Sequence, residues 1–239
     1  MPDMLPVPLT RPRVQGHWPE SAARVCNVNL RQILPEDARR ATVRLTAPTS
    51  YCSGVLIAAD LGAHSAKATA FVLTCAHFFR GLPANPVPAI TVTGPGFRRT
   101  VSAVRRIRGT DIAVAKLDSP APARALPPVT RRGAVWMQRI VTYGYGGRRT
   151  TASEKPGRAL ITLPLSLSRN LSTLVAPAGL VLNRPGAIKG DSGGPIFGAG
   201  EVLATQSLVL DPAGVQTPLA TTSLLGSHRG ALRRAIGAL

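Results

Sequence analysis

The stretch "KGDSGGPIF", residues 189–197, sets three glycines and a proline around one serine and one aspartate. Glycine permits positive φ and lets backbone N–H groups come close to a ligand. The segment is therefore either a tight turn that carries a hydroxyl or a loop built to present one. Taken alone, the residues leave both readings open. Ser192 is the candidate nucleophile, Asp191 can pin the turn, and Gly190, Gly193 and Gly194 let the backbone bend around it.

A hydroxyl nucleophile needs a base within hydrogen-bond reach, a group that orients the base, and donors aimed at the developing oxyanion. Histidines and acids are scarce enough to be taken in turn. His17 lies in a proline-rich leader, His64 in the apparent hairpin tip "DLGAHSAKAT", and His228 at the start of a terminal helix; His17 and His228 read as solvated surface residues. His77 is different, because it ends the apolar run "AFVLTCAH", where a strand leaves the core and a side chain can face a cleft. Asp111 opens the apolar run "DIAVAKL". An acid at such a junction is either a turn cap or the buried partner of an imidazole.

Twenty-two prolines and 23 glycines cut the chain into short β-branched or alternating pieces, which argues for many short strands. Strands are expected over residues 41–46, 54–59, 70–75, 89–94, 100–107 and 111–117. A second series follows over 139–145, 158–165, 179–183, 194–198 and 201–210. Between them "DSPAPARALPPVTRRGA", residues 118–134, carries four prolines and reads as a crossover. The C-terminal "SHRGALRRAIGAL" places Leu232, Ile236 and Leu239 at helical spacing behind Ser227 as a cap, and this helix is expected to dock on the second half. The expected layout is a leader over 1–37, a first all-β unit over 38–117, the crossover, a second all-β unit over 135–226, and the helix over 227–239.

"TCAH" at 74–77, "TDIAVAKL" at 110–117 and "GDSGGP" at 190–195, in that order, resemble the trypsin-like serine peptidases of chymotrypsin fold. "CSGVLI" at 52–57 resembles the strand before the family's histidine, and "YGYGG" at 143–147 the Gly-Trp-Gly strand early in its second barrel. The resemblance implies an all-β fold: two six-stranded antiparallel β-barrels with the active site between them, plus a short C-terminal helix. It also implies a serine endopeptidase in which Ser192 attacks, His77 acts as base and then acid, and Asp111 fixes the imidazole tautomer. The N–H groups of Gly190 and Ser192 would form the oxyanion hole, with Asp191, Gly193 and Gly194 supporting the loop. No cofactor and no metal are implied.

Three departures from the family follow. Phe78 stands where the family's second disulfide cysteine lies, so Cys52 and Cys75 are expected as free thiols, and the odd total with Cys26 suits a reducing compartment. No apolar amino terminus of the kind freed by activating cleavage is evident. Asp191 then draws on another cation, with the many arginines as candidates, or its loop orders only when a regulatory protein partner binds. Finally, Gly186 falls at the base of the family's primary specificity pocket, with Ser207 and Val209 along its wall. No acid is placed to meet a substrate Arg or Lys; small or apolar side chains fit better, and Lys189 leaves room for an acidic preference.

The chain has 239 residues, 44% of them hydrophobic and 17% charged, which suits a globular protein with a real core. No window approaches the ~18 uninterrupted apolar residues of a membrane helix. The first twenty residues carry no signal-peptide core, so a cytoplasmic location and no membrane partner are expected. The net charge of +18 invites a nucleic-acid reading, yet the arginines are scattered in pairs and only Lys67, Lys116, Lys155 and Lys189 are lysines. Three readings stand side by side: a peptidase acting on a protein or peptide, a catalytically inactive binding module on the same fold, and a basic nucleic-acid-associated protein.

Overall fold

The computed structural model describes residues 35–81, 90–210 and 217–239. His17, Cys26 and all of the expected leader before Pro35 lie outside the described residues. A short helix α1, Pro35–Ala41, opens on a proline, whose missing N–H is harmless in a first turn.

The first strand series forms β1 (Thr42–Thr46), β2 (Tyr51–Ile57), β3 (His64–Thr74), β4 (Thr91–Gly94), β5 (Phe97–Arg106) and β6 (Ala113–Leu126). They pair in the order β1-β2-β3-β6-β5-β4 and close into a barrel, β1 meeting β4 through Leu45 opposite Val92. The second series forms β7 (Arg139–Gly144), β8 (Ser153–Leu163), the small pair β9 (Ser166–Leu167) and β10 (Leu174–Val175), then β11 (Ala178–Asn183), β12 (Pro195–Gly198), β13 (Glu201–Val209) and β14 (Leu219–Leu224). Its barrel runs β11-β14-β13-β12-β7-β8 and closes between β8 and β11. All of these pairings are antiparallel, and closure leaves neither six-stranded sheet with an open edge. The expected all-β fold of two barrels and a terminal helix is thus the observed one.

The crossover expected over 118–134 is shorter, because β6 runs on to Leu126 despite Pro120 and Pro122. Past Leu117 the strand pairs only with β3, through Ala121 opposite Thr69 and Leu126 opposite His64; its pairing with β5 ends at Leu117. A proline costs no ladder bond on an unpaired side, so the two exposed prolines are tolerated there. His64 accordingly begins β3 rather than capping a hairpin, and its Nε2 pairs with Asp60 at 3.0 Å.

Three clusters of apolar side chains hold the molecule together. One fills the first barrel with Leu45, Leu56, Val72, Val92 and Leu117; another fills the second with Ile140, Val181, Ile196, Leu203 and Leu224. The third joins the barrels, bringing Val55, Ile57, Leu73 and Val114 of the first against Tyr143, Phe197 and Val202 of the second. Helix α2, Arg229–Gly237, buries Leu232 and Ile236 in this third cluster and reaches β5 and β6. Arg105 donates to Ala238 O, and Lys116 Nζ to Leu239 O. The helix therefore docks mainly on the first barrel, not the second as expected, because that barrel's outer strands carry the apolar face it needs. Ser227 does not cap it: its hydroxyl donates to Leu224 O, and His228 takes the cap position. His228 is half-buried with Nε2 at 2.9 Å from Ala176 O, not solvated.

Candidate active site

The end of β3 meets the start of β6 where both strands leave the first barrel. Ala76 N donates to Asp111 O at 3.3 Å, and His77 N to Asp111 Oδ1 at 2.7 Å. His77 Nδ1 lies 2.8 Å from Asp111 Oδ2, and the Asp111 side chain is 1% exposed. Asp111 is therefore the buried partner of an imidazole and not a turn cap. A carboxylate can only accept, so Nδ1 carries the proton and Nε2 is left as the acceptor. Nε2 faces Cys75 Sγ at 3.7 Å, and the His77 side chain remains 26% exposed.

Burial lowers the affinity of His77 for a proton, whereas Cys75 and the Asp111 carboxylate raise it, and the balance lies above the ordinary 6.5. Burial and the neighbouring Cys52 push the Cys75 thiol well above its own ordinary value, so Cys75 is neutral near pH 7. The upward push on His77 at that pH comes from Asp111. Cys52 and Cys75 are both buried free thiols, as expected.

Residues 190–194 are held against the same corner of the first barrel. Ser53 N donates to Ser192 O at 2.8 Å, Ser53 Oγ donates to Gly190 O at 2.7 Å, and Tyr145 N donates to Ser53 Oγ at 2.9 Å. Thr74 Oγ1 in turn binds Ser53 O at 2.7 Å. Gly193, at φ +78°, packs so tightly here that a Cβ would stand 2.3 Å from both Ser53 O and Thr74 Oγ1 and 2.8 Å from Cys75 N. The serine loop is thus seated against Cys75, two residues before His77, through close contacts at Gly193 that only glycine allows.

From the second barrel, β13 grips the other side: Gly193 N donates to Gln206 O and Gln206 N to Gly194 O. The N–H groups of Gly190 and Ser192 donate to no described residue, and Gly190 has φ +101°. Ser192 Oγ donates to Ser207 O at 3.4 Å, and no hydrogen bond joins it to His77 among the described residues.

Asp191 is fully buried and well supplied with donors. Oδ1 accepts from Gly146 N at 2.9 Å; Oδ2 accepts from Ile188 N at 2.8 Å and pairs with Lys155 Nζ at 2.7 Å. A Cβ at Gly144 or Gly146 would stand 2.4 or 2.5 Å from Asp191 Oδ1, so "YGYGG" is the cradle of this carboxylate. The cation is a lysine rather than an arginine, and its side chain is 4% exposed. Sequence reasoning missed it because β8 was expected from Arg158, whereas the strand begins at Ser153 and pairs Lys155 with Thr142 of β7. The signal was there in the rarity of lysine. Ser53 and Thr74 were also missed as loop anchors, although both lie inside motifs already singled out.

Of the residues expected around the specificity pocket, Ser207 is buried beside Ser192, its hydroxyl 2.8 Å from Ser223 Oγ. Val209 stands half-exposed at the end of the same strand. Gly186 lies under the turn before β14, where a Cβ would be 2.9 Å from Thr217 O and 3.3 Å from Pro218 Cα. Among the described residues no group of His, Cys, Asp and Glu is arranged to hold a metal, and no helix is long and apolar enough to cross a membrane.

Two closed barrels, a histidine–aspartate pair on the first and a glycine-bounded serine loop on the second define the trypsin-like class of peptidase domain. The family profile described as a trypsin-like peptidase domain matches residues 52–204, and the chain belongs to this family. Among solved structures it is similar to the active form of the Rv3671c protease of M. tuberculosis, at 18% identity and TM-score 0.66, over 98% of this chain and 95% of that one. It is also similar to the MamO protease domain of Magnetospirillum magneticum, at 16% identity and TM-score 0.63, over 83% and 98%. A serine endoprotease of Yersinia pestis matches at 16% identity and TM-score 0.58, over 84% of this chain and 66% of its own. No curated protein is matched by the sequence.

Proposed function

We propose that the chain is a serine endopeptidase that hydrolyses peptide bonds through an acyl-enzyme on Ser192. The observation that carries this reading is the buried Asp111 holding His77 Nδ1 at 2.8 Å, which makes Nε2, now facing Cys75 Sγ at 3.7 Å, the proton-accepting nitrogen. In the first step Ser192 Oγ exchanges Ser207 O for His77 Nε2 by rotation about its Cα–Cβ bond, passes its proton to Nε2 and attacks the substrate carbonyl carbon. The resulting oxyanion meets the unused N–H groups of Gly190 and Ser192, each such donor being worth about 3–4 kcal/mol. The imidazolium, stabilised by Asp111, gives its proton to the departing amine. Water then repeats the sequence on the ester, and Ser192 regains its proton from His77.

Lys155 bears on regulation: its ammonium beside Asp191 supports a serine loop assembled without a freed amino terminus at that carboxylate. For the acyl side of the substrate, Gly186, Ser207 and Val209 bring no acid to meet a basic side chain, which supports small or apolar ones.

A second reading, a binding module without catalysis, is favoured by one observation, the Ser192 hydroxyl bonded to Ser207 O instead of His77. Incubation with a fluorophosphonate or sulfonyl fluoride separates the two. The expected result is a covalent adduct on Ser192 that vanishes in Ser192→Ala; wild-type protein left unmodified would sink the peptidase reading. The nucleic-acid reading predicts retention on a DNA column at physiological salt, and elution below that salt sets it aside.

A further inference from the structure

Resting on the peptidase reading, we propose that the substrate carries acidic residues just beyond the scissile bond, held by Arg44, Arg148 and Lys189. Residues 190–194 lie between two flanks. On one, β13 holds Gly193 and Gly194 through Gln206 and offers Ser207 O to the Ser192 hydroxyl. On the other, β2 holds Gly190 and Ser192 through Ser53. A peptide that brings its carbonyl to Ser192 enters along one flank and leaves along the other. The β13 flank leads to Ser207, Val209 and Gly186, the acyl side, so the leaving-group side runs over the start of β2.

That flank begins with Tyr51. Its ring packs on Gly190, where a Cβ would lie 2.3 Å from a ring carbon. Its hydroxyl accepts from Arg148 N at 2.9 Å and donates to Lys189 O at 3.3 Å, while the Arg44 guanidinium sits 4.5 Å from the ring centroid. One phenol thus fixes the backbones of Arg148 and Lys189 and the Arg44 guanidinium beside Gly190, the residue whose N–H faces the developing oxyanion. They line a cavity of about 360 Å³ together with residues 46–50.

No carboxylate lines this cavity, and none of the three cations forms an ion pair among the described residues. Arg44 Nε is buried without a hydrogen-bond partner, which adds to the uncompensated positive charge at this cavity. Three like charges lining one cavity repel one another and are relieved by an anion. A carboxylate suits them well, since a guanidinium binds it through paired N–H donors. The chain provides no such anion itself, whereas a peptide passing over Tyr51 brings its side chains into reach.

The test uses the full chain, a proteome-derived peptide library and identification of the new termini. Enrichment of Asp and Glu in the first three positions after the cut is expected. On matched peptides differing only there, kcat/KM should favour Asp or Glu over Gln by about tenfold and Lys should be poorer still. The ratio should shrink as salt rises and approach one in the Arg44→Gln, Arg148→Gln, Lys189→Gln triple variant. Arg148→Glu should turn the preference toward Lys. Absence of enrichment, or an acid preference that survives the triple variant, overturns the proposal while fluorophosphonate labelling of Ser192 keeps the peptidase reading intact. Failure to label overturns both.

Discussion

Without the ammonium of Lys155, the Asp191 carboxylate would stay buried with two backbone donors and no countercharge. Breaking such a pair from one side typically costs about 3–5 kcal/mol, because the remaining charge is left desolvated. Lys155→Met is expected to lower the denaturation free energy by that amount. It should also slow fluorophosphonate labelling of Ser192 by roughly 100-fold, the size of losing one oxyanion donor. Partial recovery of labelling in Lys155→Ala on adding ethylammonium would mark a positioning role for the charge; equal labelling of Lys155→Met and wild type would refute it. Gly193→Ala should be worse still, since the methyl group meets Ser53 O and Thr74 Oγ1 at a positive φ, a strain of about 1–3 kcal/mol before any clash.

At His77 the direction of the proton equilibrium gives a pH profile. The proposed mechanism needs a neutral imidazole at His77, and the folded protein raises its pKa above the ordinary 6.5. The acid limb of kcat/KM should therefore have its midpoint above pH 6.5. Asp111→Asn should move the midpoint down and reduce kcat by roughly 10⁴-fold through the wrong tautomer. The linked stability has the matching sign: the protonated pair stabilises the fold fully below pH 6.5, and that contribution is lost as pH rises through the folded pKa. A midpoint at or below 6.5 in stopped-time assays would contradict the assigned environment.

Among the elements, α2 and β8 show where local pattern misleads. Helical spacing identified Leu232 and Ile236 as a buried stripe, but the choice of docking surface depended on which barrel exposes apolar strands outward. Leu232→Ala should cost about 2–5 kcal/mol by leaving a cavity beneath the helix, read as a lower midpoint in urea. β8 was legible only from Arg158 because "SEKPG" is polar and contains a proline. Its first residues nevertheless pair with β7, Glu154 opposite Tyr143 and Lys155 opposite Thr142, and so carry a lysine into the interior. β14 escaped notice since "LATTSL" has too few apolar residues to stand out without its two partner strands.

At the scale of the whole molecule, the shared cluster makes the two barrels one folding unit. Tyr143 stacks edge-on against Phe197 at 5.7 Å within it, and Arg229 donates to Leu61 O and Val129 O, tying helix, first barrel and linker. Circular dichroism and Ser192 labelling should therefore be lost together in urea, in one transition; two separated transitions would show that the barrels unfold independently.

The sequence by itself determined the strand-rich architecture and the two halves, and it singled out His77, Asp111 and Ser192 as candidates. Turn residues, alternation and short motifs are local properties that each segment carries alone. Tertiary structure alone decided that Asp111 is a buried partner rather than a cap, that Lys155 holds Asp191, and that Arg44, Arg148 and Lys189 gather around Tyr51. Each depends on barrel closure and on two barrels meeting, which bring together side chains from distant strands. The loop "KGDSGGPIF" is the case in point: its glycines were readable at once, but their necessity lies in Ser53, Thr74, Tyr51 and Tyr143, which press on it from elsewhere in the chain.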